Sequence, residues 1–365
     1  MNEDKKYLTE QIITYMGNKR KLLKYIANEV ELILKELNLE KGVMCDLFSG
    51  SGVVARMLKR YSTKLITNDL EKYSYIINDC YLTNYDEFDE ETYDKLLEGI
   101  KSKPLIEGVI SKNYAPLNDD NIMSGERVFY THKNAMLIDT YRSAIEEIPN
   151  EYRKYFLAPL LCEASIHVNT NGNFKGFFKS KKTNIGKFGG DGENALDRIM
   201  GRIELQKPIL SKYKCDIELH NEDANELVKK LSNIDIAYID PPYNEHPYAS
   251  NYFMLNTIAN NELGEELSQI CGIPKKWNKS MYNKMKKAYN AFEELISNLN
   301  TKYAIISYNN EGIIPIDKLK EMLSRYGEIK TVVIDYYAYK GCKNRKERNN
   351  DVTEYLFILN KRNKN

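Results

Sequence analysis

Apolar residues along the chain form two recurring patterns: short runs of strand length, and longer stretches with the 3.6-residue period of an amphipathic helix. Near the start, the patterns predict a helix over residues 21–37, a strand from Val43, a helix over residues 53–58, a strand over residues 64–70 and a helix over residues 73–82. Strands that alternate with helices in this way are typical of βαβ units. The pattern therefore predicts an α/β fold with a doubly wound, Rossmann-like sheet.

The alternation stops in the middle of the chain. Residues 85–214 carry helical patterns and a long polar stretch rich in glycine, asparagine and lysine. The predicted helices cover residues 89–101, 134–147, 152–165 and 196–205, and the polar stretch covers residues 169–192. A loop of that length in a compact protein is usually functional or disordered. We predict one α/β domain formed by residues 1–84 and 215–365, with residues 85–214 inserted as a mainly helical domain.

Strand and helix patterns resume at about residue 215. One predicted strand begins at Asp216, and four more cover residues 236–239, 302–310, 329–339 and 352–359. The predicted helices cover residues 227–231, 248–258, 291–299 and 316–326. The last two strands flank a run of basic residues. That run is therefore expected at the tip of a hairpin.

Composition places the chain among globular proteins. Its 365 residues are 42% hydrophobic and 29% charged, and no run approaches the roughly 20 apolar residues of a membrane span. The polar N-terminus is unlike a signal peptide, so we expect a cytoplasmic protein that does not contact a membrane. The six cysteines form no Cys-x-x-Cys pair and the four histidines have no metal-binding spacing, so neither a disulfide framework nor a metal site is expected.

Basic residues are concentrated in three acid-poor segments, although the net charge is only +1. The segments contain Lys175, Lys179, Lys181, Lys182 and Lys187; Lys275, Lys276, Lys279, Lys284, Lys286 and Lys287; and Lys340, Lys343, Arg345, Lys346 and Arg348. A balanced chain with such segments can build one positive face for nucleic acid. Each segment taken singly fits an ordinary solvated lysine surface about as well.

A proline-rich turn follows the predicted strand at residues 236–239. We call its residues, Asp240, Pro241, Pro242 and Tyr243, the proline loop. Two prolines can neither continue a strand nor enter a helix, so the loop is rigid and leaves the Pro241 carbonyl outside the ladder. A carboxylate, a free carbonyl and an aromatic ring within four residues can hold a flat polar group. A plain turn that closes the strand is the alternative.

A second turn follows the predicted strand at Val43 and contains Gly50 and Gly52. Glycines between a strand and a helix allow a nucleotide-like ligand to approach the backbone. The strand ends in Asp46, and the next strand ends in Asp69. Asp69 lies roughly 20 residues beyond the glycine turn, which is the separation at which an acid meets ribose hydroxyls in dinucleotide folds. Acids at this position favour a ligand that carries positive charge or amine donors.

Ligands bind at the carboxyl ends of the strands in an open α/β sheet. We therefore expect that edge to contain the glycine turn, Asp69, Asp223, the proline loop and residues 307–309. These groups describe a site for a ribonucleoside with a cationic part. A Gly-x-x-x-x-Gly-Lys-Ser loop is absent from the sequence, which disfavours ATP hydrolysis.

The motifs and their order resemble the alpha-group, Dam-like DNA adenine-N6 methyltransferases. The resemblance covers both ends of the chain and leaves most of the middle block unassigned. It rests on the segments Tyr15-Met16-Gly17-Asn18-Lys19, Asp46-Leu47-Phe48-Ser49-Gly50-Ser51-Gly52 and Asp240-Pro241-Pro242-Tyr243, with further matches at residues 221–224, 248–252, 307–312 and 354–357. Met16 departs from the smaller or branched aliphatic residue usual in the family.

The resemblance implies a site-specific enzyme that transfers a methyl group from S-adenosylmethionine to the N6 atom of an adenine flipped out of double-stranded DNA. The residues implied for the cofactor are Tyr15, Gly17, Lys19, Asp46, Phe48, Gly50, Gly52, Asp69, Asp223 and Asp240. The proline loop would be catalytic: Asp240 and the Pro241 carbonyl would accept the two N–H hydrogens, Pro242 belongs to the same motif, and Tyr243 would stack on the base. The inserted domain would read the sequence.

The DNA contacts are expected on the basic segments, because phosphates meet lysine and arginine. The residues predicted to bind DNA are Lys175, Lys179, Lys181, Lys182, Lys187, Lys343, Arg345 and Lys346. The expected setting is a restriction-modification system with a cognate restriction endonuclease, or a solitary methylase. The alternatives are an RNA or cytosine-N4 methyltransferase, or a catalytically silent DNA-binding protein on the same fold.

Overall fold

A computed structural model describes residues 3–337 and 351–362 of the chain. Its centre is a seven-stranded sheet. The strands are β1 (Gly42–Asp46), β2 (Ser62–Asn68), β3 (Asp216–His220), β4 (Ile234–Ile239), β5 (Thr301–Asn309), β6 (Glu328–Tyr337) and β7 (Asp351–Asn360). Their order is β3-β2-β1-β4-β5-β7-β6; β7 runs antiparallel to β5 and β6, and the other neighbouring strands are parallel. The predicted doubly wound sheet is confirmed.

Helices cover both faces of the sheet and build the middle block. They are α1 (Lys5–Thr9), α2 (Leu23–Glu36), α3 (Val53–Leu58), α4 (Lys72–Tyr81), α5 (Glu90–Lys101), α6 (Val109–Tyr114), α7 (His132–Glu147), α8 (Asn150–Ile166), α9 (Leu196–Met200), α10 (Ala224–Leu227), α11 (Tyr248–Asn251), α12 (Phe253–Asn260), α13 (Ala288–Asn298) and α14 (Ile316–Ser324). Short 3-10 turns occupy Arg20–Leu22, Lys59–Tyr61, Tyr85–Glu87, Gly190–Gly192 and Met281–Asn283.

The central strands explain where the site forms. All six residues of β4 are buried, as expected for a strand covered on both faces. Asp46 at the end of β1 pairs in register with Tyr238 of β4, and Asn68 at the end of β2 pairs with His220 of β3. Because these strands are parallel, the residues that follow them meet at one edge of the sheet.

Three predicted helices differ from the structure, and two short helices were not predicted. The helix predicted over residues 227–231 lies earlier in the chain, because α10 ends at Leu227. The predicted helix over residues 248–258 is divided into α11 and α12 at Tyr252, whose φ of −123° and ψ of 25° are not helical. The predicted helix over residues 196–205 ends at Met200, because Gly201 adopts ψ 149°. Helices α1 and α6 are too short to show a clear 3.6-residue period.

The middle block shares a hydrophobic core with the sheet's own helices. The core joins Tyr73 and Ile77 of α4, Phe156 and Leu160 of α8, and Phe253 of α12, all buried. Residues 85–214 are therefore packed directly against α4 and α12. The division into a catalytic and an inserted domain at these boundaries stays a prediction.

No helix among the described residues is long and apolar enough to cross a membrane. Strands β6 and β7 pair as an antiparallel hairpin, with Tyr337 opposite Asp351. The third basic segment, which includes the predicted DNA contacts Lys343, Arg345 and Lys346, lies outside the described residues.

Candidate active site

The glycine turn after β1 is held tightly against its neighbours. Gly50 and Gly52 adopt φ of +50° and +73°, a region that favours glycine. The Gly50 N–H donates to Asp69 Oδ2 at 2.7 Å, and Ser74 Oγ donates to the Gly50 carbonyl at 2.6 Å. A Cβ on Gly50 would lie 2.8 Å from the Tyr15 ring. Asp69 therefore supports the turn as well as facing the pocket.

Asn68 connects three loops of the site and was not predicted from the sequence. It is 2% exposed, and its Nδ2 donates to the carbonyls of Leu47 and Glu222 at 3.2 and 3.1 Å. Its own carbonyl accepts from the Ser49 N–H at 2.9 Å. The one available signal was a polar residue directly before a strand-end acid. Asn68 fixes the carboxyl ends of β1, β2 and β3 relative to one another.

A cleft lies at this edge and encloses about 690 Å³ of empty space, a volume that includes open solvent. Six residues predicted for the site line the cleft: Tyr15, Phe48, Asp69, Asp223, Asp240 and Pro242. The lining residues that were not predicted from the sequence include Asn68, Glu71, Tyr248, Asn278, Ser280, Tyr282 and Asn283. The predicted residues Gly17, Lys19, Asp46, Gly50, Gly52, Pro241 and Tyr243 lie close by but do not line it.

Buried acids dominate the electrostatics of the cleft. Burial raises the pKa of Asp46 well above its usual range, and repulsion by Asp240 and Asp69 adds to the effect. Burial likewise raises the pKa of Asp69, and burial together with the charge of Asp69 raises the pKa of Glu71 to about 7. Such a cluster favours a ligand with positive charge, which would relieve the repulsion.

Asp46 also lacks a conventional partner. Both carboxylate oxygens are buried, and neither makes a hydrogen bond of good geometry within the described part of the chain. The N–H groups of Phe48 and Ala55 lie near enough to lower its pKa, but burial prevails. An unpartnered buried carboxylate is costly for a folded protein and is typical of functional sites.

Lys19 lies beneath the proline loop, apart from the cleft lining. Its Nζ is 3.3 Å from Asp240 Oδ1 and 3.6 Å from Glu354 Oε2, and it lies 5.1 Å from the centre of the Tyr243 ring. Burial lowers the pKa of Lys19, but the attraction of Asp240, Tyr243 and Glu354 raises it well above its usual value. Lys19 is therefore a buried cation.

The pKa of Asp240 is raised to about 6. Burial is the main cause, the charge of Lys19 opposes it, and the charge of Glu354 adds to it. Lys19 thus favours the ionised form of Asp240, against the burial that favours the neutral acid.

The proline loop is braced from several directions. The Tyr243 ring packs edge-on against Tyr308 with centroids 5.6 Å apart, and its carbonyl accepts from the Ile313 N–H at 2.8 Å. A Cβ on Gly17 would lie 3.3 Å from the hydroxyls of both Tyr243 and Tyr248. Gly17 therefore permits the N-terminal segment to pass close to the loop.

Three tyrosine rings attach the N-terminal segment to the region after the proline loop. Tyr15 stacks on Tyr248 and on Tyr252, with centroids 5.0 Å apart in both pairs. The Tyr252 hydroxyl accepts from the Met16 N–H at 2.7 Å, and the Tyr248 hydroxyl donates to the Met16 carbonyl at 3.1 Å. Tyr15 and Tyr248 of this stack line the cleft, and Tyr252 is buried beside them.

Within residues 3–337 and 351–362, no group of three or more histidine, cysteine, aspartate or glutamate side chains could hold a metal ion. The polar residues that line the cleft carry carboxylates, amides, and serine and tyrosine hydroxyls.

The strand order, the glycine turn and the acids at the strand ends define an S-adenosylmethionine-dependent methyltransferase. The residues fit this cofactor, because the unpartnered carboxylate of Asp46 and the carboxylates of Asp69 and Asp223 in the cleft lining suit a nucleoside that carries a sulfonium charge. The family model of D12 class N6 adenine-specific DNA methyltransferases matches residues 15–322. The chain belongs to this family, which supports the predicted N6-adenine activity over the RNA, cytosine-N4 and silent alternatives.

Curated relatives match along most of the chain. It is 31% identical over 360 residues to the type II methyltransferase M.NlaIII of Neisseria lactamica, with 96% of this chain and 99% of that protein covered. It is 29% identical to the type II methyltransferase M.CviAII of Paramecium bursaria Chlorella virus 1, with 95% and 98% covered. It is 28% identical to the type II methyltransferase M.FokI of Planomicrobium okeanokoites, with 95% of this chain and 52% of that protein covered.

Replacing Asp46 with asparagine should separate fold stability from cofactor affinity. The change removes an unpartnered buried acid, so we expect the cofactor-free protein to melt at the same or a higher temperature. Affinity for S-adenosylmethionine should fall about tenfold or more, the effect of removing one charged partner. Calorimetry and thermal melts would measure both, with the exposed Asp317→Asn as a control. Unchanged affinity would show that Asp46 does not act on the cofactor.

Proposed function

We propose that the proline loop holds the exocyclic amine of the flipped adenine. The supporting observation is the position of Asp240, which lines the cleft while its carboxylate lies 3.3 Å from Lys19 Nζ, a residue outside the cleft lining. Its carboxylate would accept one N–H of the amine, and the Pro241 carbonyl the other. Within the described residues, no donor is hydrogen-bonded to that carbonyl. Tyr243 would stack on the base.

Positioning and charge stabilisation would account for the chemistry. S-adenosylmethionine, when bound, supplies an electrophilic methyl group. When both N–H groups of the amine donate to these two acceptors, the nitrogen lone pair would point toward the cleft, so the nucleophile is oriented for the transfer. The Asp240 carboxylate would also stabilise the positive charge that develops on N6 during the transfer.

We propose the following division of the cleft for the cofactor. Asp69 would accept the ribose hydroxyls, since its carboxylate is already fixed by the Gly50 and Glu71 N–H groups. Asp223 would accept the adenine amine, while its Oδ1 caps α10 through the Asn225 N–H. The methionine end would lie toward Tyr15, Gly17, Lys19 and Asp46, beside the glycine turn and Phe48.

We propose that the polar stretch of the middle block contacts DNA phosphates. Its residues 179–186, the lysine hairpin, are closed by a bridge between Lys179 and Gly186 and expose Lys181 and Lys182 at the tip. The segment that leads into the hairpin is attached to α11, because the Phe174 N–H donates to the Asn251 carbonyl at 2.7 Å. Lys175 and Lys187 are also exposed, while Lys179 lies 5.1 Å from the Phe177 ring.

Neutralising the hairpin tip should weaken DNA binding without changing the cofactor site. For Lys181→Ala/Lys182→Ala, we expect the slope of log affinity against log salt to shrink by roughly 0.9 for each phosphate that the variant no longer neutralises. Fluorescence anisotropy with a labelled duplex at several salt concentrations would measure it. Lys35→Ala, an exposed lysine at the end of α2, is the control. An unchanged slope would place the DNA elsewhere.

We infer that the protein is the modification half of a restriction-modification system, or a solitary methylase, and that it acts in the cytoplasm on double-stranded DNA. The relatives M.NlaIII and M.CviAII are type II methyltransferases, which supports a cognate endonuclease. Expression in a methylation-free host, followed by mapping of N6-methyladenine in its DNA, would give the recognition sequence. Adenine methylation without a fixed sequence, or none at all, would contradict site-specific modification.

A further inference from the structure

Residues 278–283, the wall segment, form the outer side of the cleft. The side chains of Asn278, Ser280, Tyr282 and Asn283 all line it. Tyr282 is the anchor: it is 5% exposed and packs edge-on against Phe48 at 5.2 Å. In the sequence, the lysines around this segment form a basic run, whereas its cleft-lining residues belong to no recognised motif.

The wall segment is hydrogen-bonded to three different parts of the site. The Tyr282 hydroxyl donates to Asn225 Oδ1 at 2.6 Å, next to Asp223. Asn278 Nδ2 donates to the Leu70 carbonyl at 3.3 Å, next to Asp69.

The third hydrogen bond reaches the proline loop. Asn283 Nδ2 donates to the Asn244 carbonyl at 2.7 Å, one residue beyond Tyr243. The same short segment therefore touches both the proposed cofactor site and the loop proposed to hold the target base.

We propose that Asn283 is a positioning residue that couples cofactor binding to the conformation of the proline loop. The proposal rests on the placement of S-adenosylmethionine in this cleft. A ligand packed against Ser280 and Tyr282 would restrict the motion of the wall segment. Through its hydrogen bond, Asn283 would then also restrict the motion of the backbone at Asn244. Coupling of this kind is reciprocal, so an ordered proline loop would also favour the cofactor.

Hydrogen exchange with S-adenosylhomocysteine, the demethylated product, tests the coupling in the full-length protein without DNA. In the unchanged protein, saturating ligand should slow exchange at residues 244–246 by about fivefold or more, a typical coupling factor. In Asn283→Ala and in the isosteric Asn283→Asp, which lacks the amide donor, slowing at residues 244–246 should disappear. Slowing at residues 69–71 should persist in both variants.

Asn278→Ala is the matched control, because it removes the same residue type from the same segment but contacts Leu70. At saturating ligand it should keep the slowing at residues 244–246. The single tryptophan, Trp277, adjoins the segment and gives a fluorescence readout of ligand binding. Full slowing at residues 244–246 in both Asn283 variants would overturn the coupling. Failure of the unchanged protein to bind the ligand would instead overturn the cofactor placement.

Discussion

Replacing Asp240 with asparagine is expected to lower kcat for adenine methylation by on the order of 10²–10³-fold, the usual cost of removing one preorganised electrostatic interaction from a transition state. Asparagine keeps the shape of the side chain but carries no charge, so it cannot stabilise the positive charge that develops on N6. Transfer of a radiolabelled methyl group to a duplex that contains the mapped recognition site would measure the effect.

Cofactor binding should respond differently to the same substitution. Asp240 repels Asp46, so removing the charge of Asp240 weakens the electrostatic repulsion at that buried carboxylate. The change also removes one of the charges that attract the cofactor, but Asp46, Asp69 and Asp223 keep theirs, so we expect affinity for S-adenosylmethionine to stay within a few-fold of the unchanged protein. Glu245→Gln, an exposed acid in the same region, is the matched control and should keep full activity. An Asp240→Asn enzyme with normal kcat would refute the role of the proline loop.

Much of the fold could be predicted from the sequence, because the sheet is buried on both faces. A strand such as β4 reads as one apolar run that ends at two prolines, and the parallel topology then brings Asp46, Asp69 and Asp240 to one edge. Helix α8 was predicted to within two residues at each end, although it contains Pro159. The short α9 was predicted too long, because a helical pattern does not show where a glycine will adopt an extended conformation.

The parts of the site that depend on long-range contacts could not be predicted. Lys19 pairs with Asp240 and Glu354, which are more than 200 residues away along the chain. The wall segment has no apolar period or motif, and its place over the cleft follows from contacts such as Tyr282 with Phe48. Local patterns identify which residues end a strand, whereas three-dimensional packing decides which side chains oppose them.

Replacing Lys19 with methionine is expected to move the acidic limb of the pH–activity profile upward. The charge of Lys19 lowers the pKa of Asp240, so without it that pKa should rise above about 6. More of the enzyme would then carry a protonated Asp240 at neutral pH, and activity at about pH 6.5 should fall on the order of tenfold or more. Activity should recover as the pH approaches about 9. A profile of kcat/KM, which reports the free enzyme, would show the shift.

Two further variants separate the electrostatic effect from damage to the fold. Lys19→Met leaves Asp240 and Glu354 facing each other, so we expect a lower melting temperature, whereas Lys19→Met/Glu354→Gln removes that repulsion. Because Glu354 raises the pKa of Asp240, the double variant should place the acidic limb between those of the unchanged protein and Lys19→Met. Lys24→Met, an exposed lysine on α2, should leave the profile unchanged. If Lys19→Met lowered activity equally at every pH, Lys19 would act through structure or cofactor contact instead of through the ionisation of Asp240.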